Sequence, residues 1–302
     1  MEVVGQAARP EPPRRTVGLT GGQGFLGSTV TQALVSAGHT VINLDAWCRQ
    51  PRPEHLQHVP ARLDWVLHFA ARTAISQSQI DPQGFLRDNL AATQAALDVS
   101  ISRRASLLYL SSYVYGQPLY NPVDELHPLA TVNPYMASKL AGEELCARVC
   151  QQHGLNLLIL RPFSVFGDRR QPGRLVSDLI DGLHAGQPLQ LNDPTPRRDH
   201  LYAPDFSLLI LAILGQASAA GVYNVGAGID YSNLEVATML AEIAGDAYPI
   251  AVRDVPRPQD VSVCVADLRK VSTDFQWQPR WPLRQALAEL VQGLPPPGQS
   301  RR

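Results

Sequence analysis

Glycines at Gly21, Gly24 and Gly27 form a G-x-x-G-x-x-G loop between the β-branched run Thr16–Thr20 and the apolar-periodic segment Phe25–Ala37. A glycine-rich junction from strand to helix constrains a fold more than any other short feature of this chain. Gly21 permits the tight turn, Gly24 lets backbone N–H groups approach a pyrophosphate, and Gly27 lets helix and strand pack closely. Phe25 and Leu26 then open the helix at its positive end, beside the phosphates. The run Thr40–Leu44 reads as a second strand ending at Asp45, about 20 residues on, where a carboxylate accepts from ribose hydroxyls. An anion at Asp45 repels the 2′-phosphate of NADP, so NAD is the expected cofactor. Arg49 would oppose this only if it reached that phosphate.

Further apolar runs at Trp65–Phe69, Ser106–Leu110 and Asn156–Leu160 alternate with helical patterns at Gln83–Ser100 and Pro134–Gln152. Alternation of this kind gives an α/β fold, a Rossmann-type doubly wound parallel sheet with crossover helices. Beyond Phe166, Gly, Pro and Asp interrupt the chain often, and the short run Val222–Val225 is mixed with helices at Ser232–Ala244 and Leu283–Val291. A smaller, discontinuous C-terminal substrate-binding lobe is therefore expected. The expected division is a tail over 1–15, a dinucleotide-binding domain over 16–166, a lobe mainly over 167–293 with segments returning to the first domain, and a tail over 294–302.

Composition removes several classes of function. With 302 residues, 45% of them hydrophobic and 18% charged, and a formal charge of −1, the chain has neither the basic surplus of a nucleic-acid binder nor the polarity of a disordered one. The apolar runs Leu155–Leu160 and Leu208–Leu214 are far shorter than the ~20 residues that span a bilayer. No membrane partner is expected, and residues 1–15 lack an apolar signal core, so the cytoplasm is the expected location. Four cysteines, Cys48, Cys146, Cys150 and Cys264, show neither C-x-x-C nor histidines at zinc spacing. No metal is expected.

Tyr135 and Lys139 stand at i and i+4 and share a face if Pro134 opens a helix. A nearby ammonium and a positive nicotinamide ring both favour the phenolate, which brings a tyrosine towards general-base work near neutral pH. Ser111 lies at the carboxyl end of the run Ser106–Leu110, the edge where a dinucleotide lies in such sheets. Its hydroxyl is placed to bond the substrate oxygen on which Tyr135 acts.

In these residues the chain resembles the extended short-chain dehydrogenase/reductases, and within them the NAD-dependent nucleotide-sugar epimerase/dehydratase group. The likeness runs from about Thr16 to Val291 and rests on TGGQGFLG (Thr20–Gly27), LHFAA (Leu67–Ala71), SSYVYG (Ser111–Gly116), PYMASK (Pro134–Lys139), LRPFSVFG (Leu160–Gly167), RRDHLYAPD (Arg197–Asp205) and GVYNVG (Gly221–Gly226). It implies a catalytic set of Ser111, Tyr135 and Lys139, with Tyr135 and Lys139 also touching the cofactor. Phe69, Ala70 and Ala71 would pass beside the cofactor, and Pro162 and Phe163 would lie near the nicotinamide. Asn89 would stand near the substrate, Arg198 and Arg257 would grip the diphosphate of a nucleoside diphosphate sugar, and Asp260 would meet its ribose. Ser164, also on the substrate side, replaces an Asn frequent in the group. The helices Gln83–Ser100 and Pro134–Gln152 would pair across a two-fold axis to give a homodimer.

The chain also departs from that pattern. Only 19 positions separate Asp45 from Asp64, where the family fits a helix and a further strand on the adenine side. Ser112 and Tyr113 stand where the group's sugar dehydratases look to carry an acid pair, which disfavours 4,6-elimination. The resulting expectation is NAD(H)-dependent oxidoreduction or epimerisation of a nucleotide-linked hexose through a keto intermediate, centred on C4. Two alternatives remain: an NAD(P)-dependent reductase or dehydrogenase of a non-nucleotide alcohol or ketone, and a catalytically inactive dinucleotide-sensing protein.

Overall fold

The computed structural model describes residues 13–167, 171–216, 219–245, 248–253, 255 and 261–293. Arg257 and Asp260 lie outside the described residues. The first half runs β1 (Thr16–Thr20), α1 (Phe25–Ser36), β2 (Thr40–Asn43), α2 (Asp45–Arg49), β3 (Trp65–His68), α3 (Ile75–Ile80), α4 (Pro82–Arg103), β4 (Ser106–Leu110), α5 (Pro134–His153) and β5 (Leu157–Pro162). The second half runs β6 (Ser164–Phe166), α6 (Leu175–His184), β7 (Leu189–Leu191), β8 (Arg197–Tyr202), α7 (Ala203–Leu214), β9 (Gly221–Val225), β10 (Asp230–Ser232), α8 (Asn233–Ala244), β11 (Ile250–Val252), β12 (Val263–Cys264), α9 (Arg269–Phe275) and α10 (Leu283–Gln292).

A parallel sheet in the order β2-β1-β3-β4-β5-β9 forms the centre of the molecule. Its inner strands are mostly apolar because both faces are covered. Leu19, Leu67, Leu108 and Leu160 face a core shared with α1 and α7, while Val66, Leu107, Tyr109 and Ile159 face the core under α4 and α5. The chain leaves β1 for β2 on one side and returns to β3 on the other, so the crevice at the carboxyl ends of β1 and β3 is the switch point where ligands sit.

Strand limits differ from the sequence reading by one or two residues at β2, β3, β5 and β9, and two of these bear on the site. The second strand ends at Asn43, and Asp45 is the first residue of α2. The Asn43 Oδ1 accepts the Asp45 N–H at 2.7 Å, an Asx turn that stops the strand before it reaches the carboxylate. The fifth strand starts one residue later than expected and continues to Pro162, because β9 pairs along it as far as Val225. No strand flanks β2 on its outer side among the described residues. Leu44, Val59 and Leu63 are buried over the sheet instead, and the Trp47 indole donates to the Ala95 carbonyl on α4 at 2.8 Å.

The remaining strands form small sheets, β10-β8-β12 with β6 on β8, and β11-β7. Helices α6, α8 and α10 enclose a separate apolar core there. Ser232 and Glu235 close the start of α8 with a reciprocal capping box. At the centre of this region, the buried Asp199 carboxylate accepts from the backbone N–H groups of Ala227, Gly228 and Ala266. Burial raises its pKa to about 6 against the pull of those donors.

Candidate active site

The glycine loop closes as its spacing requires. Gly21 has φ +75°, and a Cβ there would lie 2.7 Å from the Ala70 nitrogen. A Cβ on Gly27 would lie 1.9 Å from the Gly21 carbonyl oxygen, so neither position admits a side chain. The first-turn N–H groups of α1, on Phe25, Leu26 and Gly27, point along the helix axis at its positive end. This cradle opens on a cleft of about 500 Å³. Gly21, Gly24, Phe25, Leu26, Gly27, Asp45, Phe69, Ala70, Ala71, Ser111, Tyr135 and Pro162 all border it. These residues fit an adenine dinucleotide: a glycine-rich turn for the pyrophosphate, a carboxylate on one flank and the apolar Phe69, Ala70, Ala71 and Pro162 on the other.

Asp45 reaches this cleft from α2. Its carboxylate already accepts the Gly21 N–H, and the Asn43 amide lies 3.4 Å from its other oxygen. Arg49, exposed, borders the same end of the cleft.

Tyr135 is placed by the start of α5. Asn133 caps the helix by accepting the Met136 N–H at 2.9 Å, and Pro134 fills the first turn, where its missing N–H costs nothing. Lys139, one turn on, does not border the cleft. Its ammonium is buried 4.4 Å from the centre of the Tyr109 ring. Burial lowers its pKa to about 8, with Cys146 and Glu143 pulling the other way.

Beneath the cleft lies a buried network that the sequence reading missed. The Ser111 hydroxyl donates to the Glu143 carboxylate at 2.5 Å. Glu143 is gripped by Arg161, with Nε to Oε1 at 3.0 Å and Nη2 to Oε2 at 2.6 Å. Arg161 also donates to the Tyr115 hydroxyl, which donates to the Asn224 side-chain Oδ1 at 2.6 Å. Glu143 lies at i+8 from Tyr135 and i+4 from Lys139, a helical repeat that places all three on one face. Its partner sits on β5, and nothing local in the sequence links the two.

Three residues expected near the substrate have these surroundings. Asn89 borders the cleft, but both ends of its amide are engaged inside the protein. It accepts the Arg72 N–H at 2.7 Å and donates to the Arg72 carbonyl and to the Ser138 hydroxyl. It therefore ties the loop after β3 to α4 and α5. Ser164 and Arg198 belong to the small sheet: Ser164 faces His200 in register, and His200 and Arg198 alternate onto the same face. Neither borders the cofactor cleft. Neither Ser112 nor Tyr113 supplies a carboxylate there, and the Tyr113 hydroxyl donates to the Gly116 carbonyl. Among the described residues no cluster of metal-ligating side chains occurs.

The family model described as NAD dependent epimerase/dehydratase family matches residues 17–226. The chain belongs to that family. A dTDP-glucose 4,6-dehydratase of Actinoplanes sp. is 28% identical to it over 90% of this chain and 95% of the relative. Among solved structures, the UDP-glucose 4-epimerase of Thermus thermophilus in complex with NAD is 27% identical, with TM-score 0.77 over 92% of this chain and 98% of that one. RMD from Pseudomonas aeruginosa complexed with NADPH is 26% identical, with TM-score 0.83 over 92% and 98%. The α/β, Rossmann-type expectation and the NAD-dependent enzyme class both stand.

Proposed function

We propose that this protein catalyses NAD(H)-dependent oxidoreduction or epimerisation at a hexose carbon, C4, of a nucleoside diphosphate sugar. The observation that carries this reading is that Ser111 and Tyr135 border the same cleft as the glycine cradle, with the Lys139 ammonium buried one turn below. NAD, held by Gly21, Gly24–Gly27, Asp45, Phe69–Ala71 and Pro162, supplies the hydride acceptor. Tyr135 takes the proton of the substrate hydroxyl, and the Lys139 charge favours its phenolate. Ser111 and Tyr135 together orient the sugar over the cofactor. If the keto sugar turns before reduction the outcome is epimerisation, and if it leaves the outcome is net oxidation.

Arg198, and Arg257 beyond the described residues, are the proposed ligands of the diphosphate, a dianion suited to guanidinium groups. Helices α4 and α5 pack together, with Leu86, Ala91 and Ala137 exposed on their outer side, and we place a homodimer interface there. Cysteines 48, 146, 150 and 264 lie outside any disulfide, in keeping with a reducing cytoplasm. No helix among the described residues is long and apolar enough to cross a membrane.

Calorimetry with UDP, dTDP, GDP and CDP on the NAD-loaded protein tests the substrate class. One of them should bind below millimolar concentration. Arg198→Ala should weaken it about 10- to 150-fold, the scale of one charge-assisted contact, without changing NAD affinity. No binding by any of the four, or a silent substitution, leaves the reductase of a non-nucleotide alcohol as the better reading.

A further inference from the structure

The glycine cradle divides the cleft into two ends. Ser111, Tyr135 and Pro162 border one, and Asp45, Cys48 and Arg49 of α2 border the other, beside Asp88 and Ala92 of α4. The Cys48 thiol lies 3.8 Å from the Ala92 carbonyl. A dinucleotide whose pyrophosphate rests on the cradle and whose ribose meets Asp45 directs its adenine to this second end. None of the side chains there offers a broad face. Cys48 and Ala92 are small, Arg49 is exposed, and Asp88 is held by Arg72 at 2.9 Å. Trp47, the aromatic of α2, is turned into the core, where its indole donates to the Ala95 carbonyl. The next segment adds no wall. Leu56, Val59 and Leu63 pack beneath α4 with Leu44 and Val66, and the Leu56 carbonyl lies 3.5 Å from the Arg103 guanidinium in the last turn of α4. From Ala92 to Arg103 is about 16 Å along that helix, so residues 50–64 run away from the cleft, and none of them borders it.

We propose that this open adenine end makes the dinucleotide a co-substrate, taken up and released in every turnover, so that the protein carries out net oxidation or reduction of its sugar and not epimerisation. The proposal rests on the reading of the cleft as a sugar-oxidising site. A base without a face to stack on forgoes about 5- to 150-fold in affinity. With binding weakened to about 10 µM and association at about 10⁶ M⁻¹s⁻¹, release occurs about 10 times a second, the pace of a typical turnover. An epimerase needs the opposite, because the hydride must return to the sugar from the same cofactor molecule. Where the dinucleotide exchanges, departure of the keto sugar completes a turnover and leaves no stalled enzyme. In the oxidising direction the C4–H bond breaks, its electron pair goes to the nicotinamide, and the hydroxyl proton goes to Tyr135 and then to water. Keto sugar, NADH and a proton leave, and NAD from solution takes the place of NADH. The reducing direction is the reverse. Either way the keto sugar is free in solution, so another reaction of the sequence must consume it or supply it.

The test uses the full-length protein without substitution. After gel filtration, mass spectrometry should find it free of dinucleotide. Loaded with NADH and mixed with excess NAD in a stopped-flow instrument, it should lose the fluorescence of bound NADH within about one second. The open end is read separately, with nicotinamide hypoxanthine dinucleotide and with NAD carrying a linker on the adenine amino group. Both should bind within about 3-fold of NAD, whereas a closed adenine pocket would reject them by about 10-fold or more. With UDP-glucose or dTDP-glucose, turnover should require added NAD and form one NADH for each keto sugar. Stoichiometric cofactor that survives gel filtration, rejection of either analogue, or a 4-epimer formed without net NADH overturns the proposal. If neither sugar is turned over, the substrate reading fails separately, and the exchange and analogue measurements decide whether the adenine end is open.

Discussion

The floor of the cleft and its adenine end are borders of one sheet, yet they are held in opposite ways. Under the floor, Ser111, Glu143 and Arg161 are buried, each is bonded to named partners, and β4 and β5 have strands on both sides. At the adenine end β2 is the edge, Asp45 is half-buried on a helix of 5 residues, and Arg49 is exposed. Hydrogen bonds and charges act strongly where water is excluded and weakly where it is not. Substitutions at the floor should therefore act through chemistry and stability, and those at the adenine end through modest changes in affinity. The sharpest contrast should come from Tyr135→Phe, which removes the proton acceptor and one hydroxyl group. Turnover should fall by at least about 10²-fold, the scale of a general base, with NAD affinity nearly unchanged in a fluorescence titration. Near-normal turnover would mean that the floor does not carry the chemistry.

Acid should also separate the two ends. His68, on the floor side of β3, is fully enclosed, with Thr20 Oγ1 2.8 Å from Nδ1 and Thr93 Oγ1 3.1 Å from Nε2. Burial, and then the Lys139 charge, lower its pKa to about 3. The unfolded chain takes up this proton near pH 6.5 and the folded one does not. Its contribution is thus complete above about pH 6.5 and is lost as pH falls towards 3, at about 1.4 kcal/mol per unit. Urea unfolding at pH 7 and pH 5 should show a loss about 2 kcal/mol larger in the parent than in His68→Asn, because the buried His200, whose pKa burial lowers to about 4, and Asp199 titrate alike in both proteins. Equal losses in both proteins would remove His68 as the source.

These two ends were also unequally legible in the sequence. The glycine cradle could be read because its demands are local: a positive φ at Gly21 and a missing Cβ at Gly27 are satisfied within eight residues. Tyr135 and Lys139 could be read because a helix converts spacing into a shared face. Glu143 had the same periodicity, but its meaning depends on Arg161, which reaches it from β5, a separate element. The bonds that engage the Asn89 amide were not legible, because position does not reveal whether an amide already has partners. At Asp45 the strand was carried two residues too far, although Asn43 held the turn signal. Arg198 was visible only through family likeness, since a sheet built from β6, β8, β10 and β12 brings together segments too far apart for any pattern to link.

The smallest effect should come from Asp45→Ala, and its size measures how weak the adenine end is. The Asp45 carboxylate opposes a 2′-phosphate, so the parent should prefer NAD to NADP. At a half-buried site two unit charges a few ångströms apart interact by about 1 kcal/mol in a water-like dielectric, so the preference should narrow by about 3- to 10-fold. NAD itself should weaken by a similar factor, because the Gly21 N–H loses its acceptor as the ribose loses its own. Arg49, exposed beside it, gains influence once the anion is removed, and the remaining preference should decline further at low salt, where that charge is less screened. Titration of both cofactors at two ionic strengths checks this. A parent that clearly prefers NADP would reverse the role given to Asp45. A change above about 100-fold would show an adenine end held as firmly as the floor, and the contrast between the two would fail.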